Sequence, residues 1–394
     1  MRCLMIWLAA VLALAMPLSA QGQLVIVGGG LADDNDAVFA AFLDALPAPD
    51  APIAIIPAAS GVPAQSARAF AAQLTRRGVA QERIRIIRLA TEDDPSTPED
   101  ESGWAGNSEA PDEIMKLAGV GGIWFTGGDQ ARIMATLMRP EGDESAMLAI
   151  IRTRFAAGAA IGGTSAGAAI MSDPMILQGD PFSLVPGTGT AFEELASGTG
   201  LGFLRRRLVD QHFGERARLI RLVAALRDVP TFDRIGLGID EDTALVVAPG
   251  QARARVVGRG RVTVVDAREA AYFRDPPLDV RRLAIVSLQD GDVVDLAAPA
   301  ASALTAAAPR PPASADRPPA PCIAAPSAAR LATSESQLVG AMAGRLGEGE
   351  ESLCLISAGT GSLALRFYRR PAIGAGLLLL DIMPAASRLE LRQR

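Results

Sequence analysis

Residues 162–172 read GGTSAGAAIMS: a serine set among glycines and alanines, directly after the apolar approach Gly158–Ala159–Ala160–Ile161. Gly163–Thr164–Ser165–Ala166–Gly167 fits the pattern G-x-S-x-G, with a strand predicted over 159–162 and a helix starting at Ala166. A strand that turns sharply into a helix thrusts the intervening serine above the sheet edge, and the crowding of that turn demands small neighbours. The N–H of Ala166, at the helix start, is then aimed where a negative oxygen would form. The bare pattern is common in a chain this rich in Gly and Ala, so its weight comes from the strand before it and the helix after it.

Working outward, the same unit recurs. Apolar strands are predicted at 23–27, 53–56, 84–89 and 121–125, and helices over 64–77, 131–138 and 145–157. The strands are apolar nearly throughout rather than alternating, as expected of strands buried on both faces. The expected fold class is α/β, a mostly parallel sheet with helices on both faces. Loops after such strands gather at the carboxyl edge, where ligands bind. Gly28–Gly30, Gly127–Gln130 and Ser165 all follow strands and are expected to converge there. A dinucleotide reading of Gly28–Gly29–Gly30 fails, because the third position of G-x-G-x-x-G/A is Asp33.

A serine hydroxyl needs a base, and the chain has one histidine, His212. It lies after the apolar pair Leu208–Val209, with a helix expected from Glu215. Glu241, in the stretch GLGIDED, is the first choice for a carboxylate that fixes the imidazole tautomer; Asp240, Asp242 and Asp210 stay open on local grounds. The order serine, histidine, acid departs from the usual α/β-hydrolase order, in which the acid precedes the histidine, though Asp173 or Asp180 would restore it.

Beyond Glu241, short strands are expected at 244–247, 252–257, 261–265, 283–288 and 293–296, as antiparallel additions to the sheet or a small β-rich extension. Residues 298–327 are Ala/Pro-rich and read as a linker. The remaining stretch, 328–394, carries an expected helix over 336–345 and strands at 352–356, 362–368 and 377–382. The acidic, turn-rich segment 91–109 reads as a surface loop or rim, and by charge alone its part 91–101 is a candidate for binding a basic group.

Residues 1–20 have the layout of a secretory signal peptide: Arg2, an apolar run from Cys3 to Met16, then Ser19 and Ala20. The run is short for a membrane span, so a periplasmic or secreted protein without stable membrane insertion is expected. The formal charge of −6 argues against a nucleic-acid partner. An oxidising compartment would permit Cys322 and Cys354 to pair. One histidine and scattered cysteines make a structural zinc site improbable, and neither a metal nor a cofactor is expected.

Five stretches together resemble the cyanophycinase family of serine peptidases, relatives of aspartyl dipeptidases: FTGGDQ (125–130), GGTSAGA (162–168), GLGF (200–203), DQHFGERARLIRL (210–222) and GIDEDTAL (238–245). The resemblance covers about residues 23–297. It implies a class I glutamine amidotransferase-like fold, with 21–297 as the α/β peptidase domain with a β-rich end. It further implies Ser165 as nucleophile, His212 as general base, Glu241 as its orienting acid, and the N–H groups of Gly128 and Ala166 as an oxyanion hole. Asp129, Gln130, Asp210, Gln211 and Arg216 would line or support the substrate site. The family pattern carries glycine where Ala217 and Ile220 stand here. The implied substrate is cyanophycin, a polyaspartate with arginine on each β-carboxyl, cut to β-aspartyl-arginine; the implied assembly is a homodimer. A related aspartyl or isoaspartyl peptidase, and a secreted non-catalytic binding protein on the same scaffold, are the alternatives.

Overall fold

The computed structural model describes residues 21–179, 195–273 and 278–299, together with strand segments at 323–325, 352–357, 363–368 and 378–384. The signal peptide expected over 1–20, the helix expected over 336–345 and the pairing of Cys322 with Cys354 lie outside the described residues.

The first half alternates strands and helices. In chain order these are β1 (Leu24–Val27), α1 (Asp36–Asp44), β2 (Ile53–Ile56), α2 (Pro63–Arg76), β3 (Ile84–Ile86), α3 (Pro111–Met115), β4 (Gly122–Phe125), α4 (Gln130–Leu137), α5 (Ala146–Ala156), β5 (Ala160–Thr164) and α6 (Ala166–Ala169). The hairpin β6 (Met175–Gln178) and β7 (Ala196–Gly198), strand β8 (Leu208–Gln211) and α7 (Leu219–Leu226) follow. Then come β9 (Ile235–Ile239), β10 (Thr243–Val247), β11 (Arg253–Gly258), β12 (Val262–Asp266), β13 (Ala271–Phe273), β14 (Asp279–Leu288) and β15 (Val293–Asp295). Four further strands close the described chain: β16 (Ile323–Ala325), β17 (Ser352–Ser357), β18 (Leu363–Tyr368) and β19 (Leu378–Pro384).

Two large sheets result, so the fold is mixed α/β. The first has the order β15-β11-β10-β1-β5-β4-β2-β3. Its β1, β5, β4, β2 and β3 pair in parallel, while β10, β11 and β15 add on antiparallel. Successive strand residues point to opposite faces, and both faces are covered. Val25, Val27, Ile53, Ile55 and Trp124 pack with Val38, Phe39 and Phe42 of α1 and Phe70 and Leu74 of α2. Leu24, Ile26, Ile56, Ile123, Phe125 and Ile161 pack with Ile133 and Leu137 of α4 and Leu148 and Ile151 of α5. This explains the unbroken apolar strands: no residue of β1, β2 or β4 faces water.

The second sheet has the order β16-β17-β18-β19-β14-β12-β9-β8, with β13 beside β14. Strands after residue 241 therefore do both things the sequence left open: β10, β11 and β15 extend the first sheet, whereas β12 and β14 build the second. β8 and β9 run parallel with Gln211 opposite Ile239, so the residues that follow each strand emerge side by side. The connection from β9 to β10 is only Asp240–Asp242, and it crosses from the second sheet to the first.

The sequence reading missed α1, whose start is capped by Asn35, and the β6–β7 hairpin. It also began α7 too early. Residues 213–218 form a tight turn in which Arg218 N–H donates to Phe213 C=O over 3.0 Å, and Ala217 takes φ 53°. That backbone region costs a non-glycine residue about 1–2 kcal/mol, so alanine in place of the family's glycine is less neutral here than its small size suggests. The acidic run 91–101 is a built loop. Asp94 accepts from Gln65 N–H at the start of α2 over 2.7 Å and Glu101 accepts from Asp94 N–H over 3.0 Å, while Glu92 pairs with Arg132 over 3.2 Å. Those three carboxylates are therefore already engaged within the protein.

β19 is not a loose tail. It pairs antiparallel with β14, and Leu380 and Ile382 lie fully buried among Val280, Leu283 and Ile285. Replacing either Leu380 or Ile382 with Ala is expected to lower the stability of the whole protein by about 2–5 kcal/mol. A denaturant titration followed by tryptophan fluorescence checks this. An unchanged midpoint for the main transition would mean that the C-terminal strands contribute nothing to the rest of the fold.

Candidate active site

The carbonyls at the end of β1 organise the site. Ser165 N–H donates to Val27 C=O over 3.0 Å, His212 N–H to Gly28 C=O over 2.6 Å, and Asp242 N–H to Gly29 C=O over 2.8 Å. One short stretch of backbone thus holds the segments that carry Ser165, His212 and Glu241, which come from the first sheet, the second sheet and the connection between them. The side chains meet accordingly. Ser165 Oγ lies 2.7 Å from His212 Nε2, and His212 Nδ1 lies 2.5 Å from Glu241 Oε1.

The glycines at 28–30 are required by this closeness. A Cβ on Gly28 would lie 2.1 Å from Asp240 C=O, one on Gly29 2.2 Å from His212 Cε1, and one on Gly30 2.6 Å from Glu241 Oε2. Gly29 also sits at φ 119°, a conformation other residues rarely adopt. The triplet lies at the carboxyl edge beside Ser165, as the strand pattern predicts, although it fails as a dinucleotide motif. Its real signal was three glycines at the end of a buried strand, where another part of the chain must approach the backbone closely.

Ser165 itself occupies φ 55°, ψ −112°, a strained backbone for a residue with a side chain. Helix α6 is a single turn beginning at the next residue. The loop after β4 lies against the serine: a Cβ on Gly127 would be 3.3 Å from Ser165 Cβ. Among the described residues, the N–H groups of Gly128 and Ala166 donate to no backbone or side-chain acceptor.

The other acids near His212 are committed elsewhere. Asp240 accepts from Gly214 N–H over 2.9 Å and Arg261 N–H over 3.0 Å. Asp242 accepts from Ala32 N–H and Asn35 Nδ2 and pairs with Arg259. Asp210 is 1% exposed and is paired with Arg221, with Arg218 3.6 Å away. Asp173 accepts from Gly200 N–H over 3.2 Å, and Asp180 lies outside the described residues.

Of the remaining expected site residues, Gln211 is buried and accepts from Arg218 over 2.7 Å. Asp129 caps α4 through Ala131 N–H and its surface is exposed. Gln130 spends its amide nitrogen on the carbonyls of Ile176 and Leu177 in β6, so it holds the hairpin. Arg216 is exposed and, among the described residues, forms no ion pair. Arg218 and Arg221, which the sequence reading did not single out, form with Asp210 a buried network of two cations and one anion beside the histidine. Burial brings the Arg218 guanidinium down to about 10 despite Asp210. For His212, burial is the largest influence and favours the neutral ring; the Glu241 hydrogen bond opposes it and Arg216 reinforces it, leaving the imidazole below its ordinary 6.5. Among the described residues no cluster of His, Cys, Asp and Glu could hold a metal ion, and no helix is long and apolar enough to cross a membrane.

An α/β protein with a serine on a strained turn, hydrogen-bonded to a buried imidazole whose neutral form burial favours, has the makings of a hydrolase. The comparisons agree with that class: the model of peptidase family S51 matches residues 24–255, and the chain belongs to that family. It is 36% identical over 255 residues to a cyanophycinase of Synechococcus elongatus, covering 63% of this chain and 70% of that protein. A cyanophycinase of Trichormus variabilis is 38% identical over 185 residues, covering 45% of this chain and 57% of that protein. A solved peptidase from an acI-B1 Actinobacterium superposes with a TM-score of 0.47 at 22% identity, covering 71% of this chain and 98% of that one.

Gly29→Ala tests the hub. The added methyl has to displace the imidazole, so hydrolytic activity is expected to fall by about 100-fold while the circular dichroism spectrum is retained. Activity within twofold of wild type would show that the loop yields without disturbing His212.

Proposed function

We propose that the protein is a serine peptidase of the cyanophycinase type, acting through Ser165, His212 and Glu241, and that residues 21–297 form its catalytic unit on a class I glutamine amidotransferase-like scaffold. The observation that carries the reading is the unbroken hydrogen-bonded line from Ser165 Oγ through the imidazole to Glu241. The family membership and the cyanophycinase relatives support the substrate class.

In this reading, neutral His212 takes the Ser165 proton at Nε2 as Oγ attacks the scissile carbonyl. Glu241 accepts from Nδ1–H, which keeps Nε2 free to take that proton and stabilises the imidazolium that results. The carbonyl oxygen, now negative, is received by the N–H groups of Gly128 and Ala166. Collapse breaks the C–N bond, His212 protonates the leaving amine, and an acyl-serine remains. Water then attacks the ester, His212 takes its proton, and release of the acid returns the proton to Ser165. Cyanophycin carries a carboxylate and a guanidinium in every repeat. Exposed Arg216 suits the carboxylate, with the buried excess charge of Arg218 and Arg221 beneath it. Asp129 is the exposed acid on the adjacent loop for the guanidinium.

Purified protein incubated with insoluble cyanophycin is expected to release soluble β-aspartyl-arginine, identified by mass spectrometry. Ser165→Ala and His212→Ala should each lower the rate by about 10⁶-fold. A fluorophosphonate probe should label wild type and not Ser165→Ala. Labelling without release from cyanophycin would redirect the reading to an aspartyl or isoaspartyl peptidase. The absence of both would remove the hydrolase reading in favour of a binding scaffold.

The proton-accepting form of His212 is the neutral one, and its folded pKa is depressed. The rate should therefore rise through an acid limb centred below pH 6.5, the ordinary value for the side chain, and be level above it. A kcat/KM profile with its acid limb above that value would contradict burial as the dominant influence on the ring.

A further inference from the structure

Glu241 is held by little packing. Its side chain is 37% exposed, and its backbone lies in a three-residue crossover between two sheets, where neither ladder supplies its N–H with a partner. What supplies one is Glu215, three residues beyond His212: Glu241 N–H donates to Glu215 Oε2 over 3.1 Å. A second bond runs the other way. Gly214 N–H, in the same loop as His212, donates to Asp240 Oδ1 over 2.9 Å, while Asp240 Oδ2 accepts from Arg261 N–H over 3.0 Å. One residue earlier on both segments, Phe213 N–H donates to Ile239 C=O over 3.1 Å.

We propose that Asp240 and Glu215 form a reciprocal clasp that sets the Glu241 carboxylate against His212 Nδ1. Each carboxylate belongs to one of the two segments and binds a backbone N–H of the other, so the segments cannot slide past one another without breaking both bonds. Neither side chain is hydrogen-bonded to Ser165 or to the imidazole, and both are positioning residues. The two bonds differ in setting: Asp240 is 3% exposed and is the rigid half, whereas Glu215 lies at the surface and can be altered without opening the core. The inference deepens the triad reading and rests on it.

His212 is the chain's single histidine, so its imidazole resonances need no assignment and report on the clasp without any substrate. The charged groups facing it are Glu241 from the crossover and Arg216 and Arg218 from its own loop; Glu215 in turn interacts with Asp240 and Glu241. Three variants of the full chain, Glu215→Ala, Glu215→Gln and Asp240→Asn, are compared with wild type by nitrogen-15 imidazole spectra across pH. Fluorophosphonate labelling rates and the kcat–KM split on the peptide substrate complete the comparison.

Glu215→Ala is expected to shift the Nδ1 proton upfield, lower the ring's titration midpoint as Glu241 draws away, and reduce kcat and labelling by about tenfold, the effect of losing one oriented hydrogen bond. KM should not change. Glu215→Gln removes the same charge but keeps an oxygen that accepts from Glu241 N–H, so it should restore most of the loss. A change shared by Ala and Gln reports charge, and one confined to Ala reports position. Asp240→Asn sets an amide nitrogen against a backbone N–H and should resemble Glu215→Ala. If it fails to fold, the Glu215 pair decides alone. Wild-type His212 signals and kcat in Glu215→Ala, or Gln as impaired as Ala, would overturn the clasp. A wild-type protein whose Ser165 is never labelled, and whose Nδ1 proton shows no carboxylate partner, would fail one step earlier: the triad reading would fall and take the clasp with it.

Discussion

The backbone from Val27 to Gly29 is the constraint on which the site depends. Three successive carbonyls accept from three segments that are far apart in sequence: the serine turn, the histidine loop and the crossover bearing Glu241. Backbone hydrogen bonds formed at the end of a buried strand are short and directional, and leaving any of them unmade would strand a buried polar group. Gly28, Gly29 and the next residue, Gly30, have to be glycine because the groups gathered there lie closer than a Cβ allows. Hydrogen bonding and sterics thus coincide at Gly28 and Gly29 for different reasons.

The arrangement also explains why two sheets are needed. A single parallel sheet delivers Ser165 at its carboxyl edge, but the histidine comes from β8 of the second sheet, and the acid lies where the chain leaves that sheet for the first. Parallel pairing of β8 and β9 with Gln211 opposite Ile239 places the histidine and the acid at the same level. Antiparallel pairing of β10 with β1 then brings both to the serine. The C-terminal strands lengthen the far side of the second sheet, away from this junction, and bury Leu380 and Ile382 in the core shared with α7.

Electrostatics at the junction are asymmetric. Two buried arginines face one buried aspartate beside the histidine, and exposed Arg216 adds to the same sign. Burial, with Arg216 and Arg218 in support, favours the neutral imidazole. Across the serine, the loop after β4 offers the Gly128 N–H, which has no acceptor among the described residues, and the exposed carboxylate of Asp129.

Much of this was legible in the residues themselves. Periodicity exposed the parallel strands, because strands buried on both faces carry unbroken apolar runs, and the tail strands at 352–357, 363–368 and 378–384 fell within two residues of their expected bounds. The small residues around Ser165 marked a sharp turn, and a single histidine left one candidate base. Local reasoning put Glu241 first but left Asp210, Asp240 and Asp242 open. All four are carboxylates at strand ends, and which one meets the ring depends on partners contributed by other elements: Arg221, Gly214 and Arg261, and Asn35 and Arg259 occupy three of them. Nor could it show why Gly28–Gly30 are glycines, or that Glu215 reaches back to the Glu241 backbone. Local composition determines which elements form. Contacts between residues some 200 positions apart, which exist only after the two sheets have docked, determine which side chains are left facing the serine.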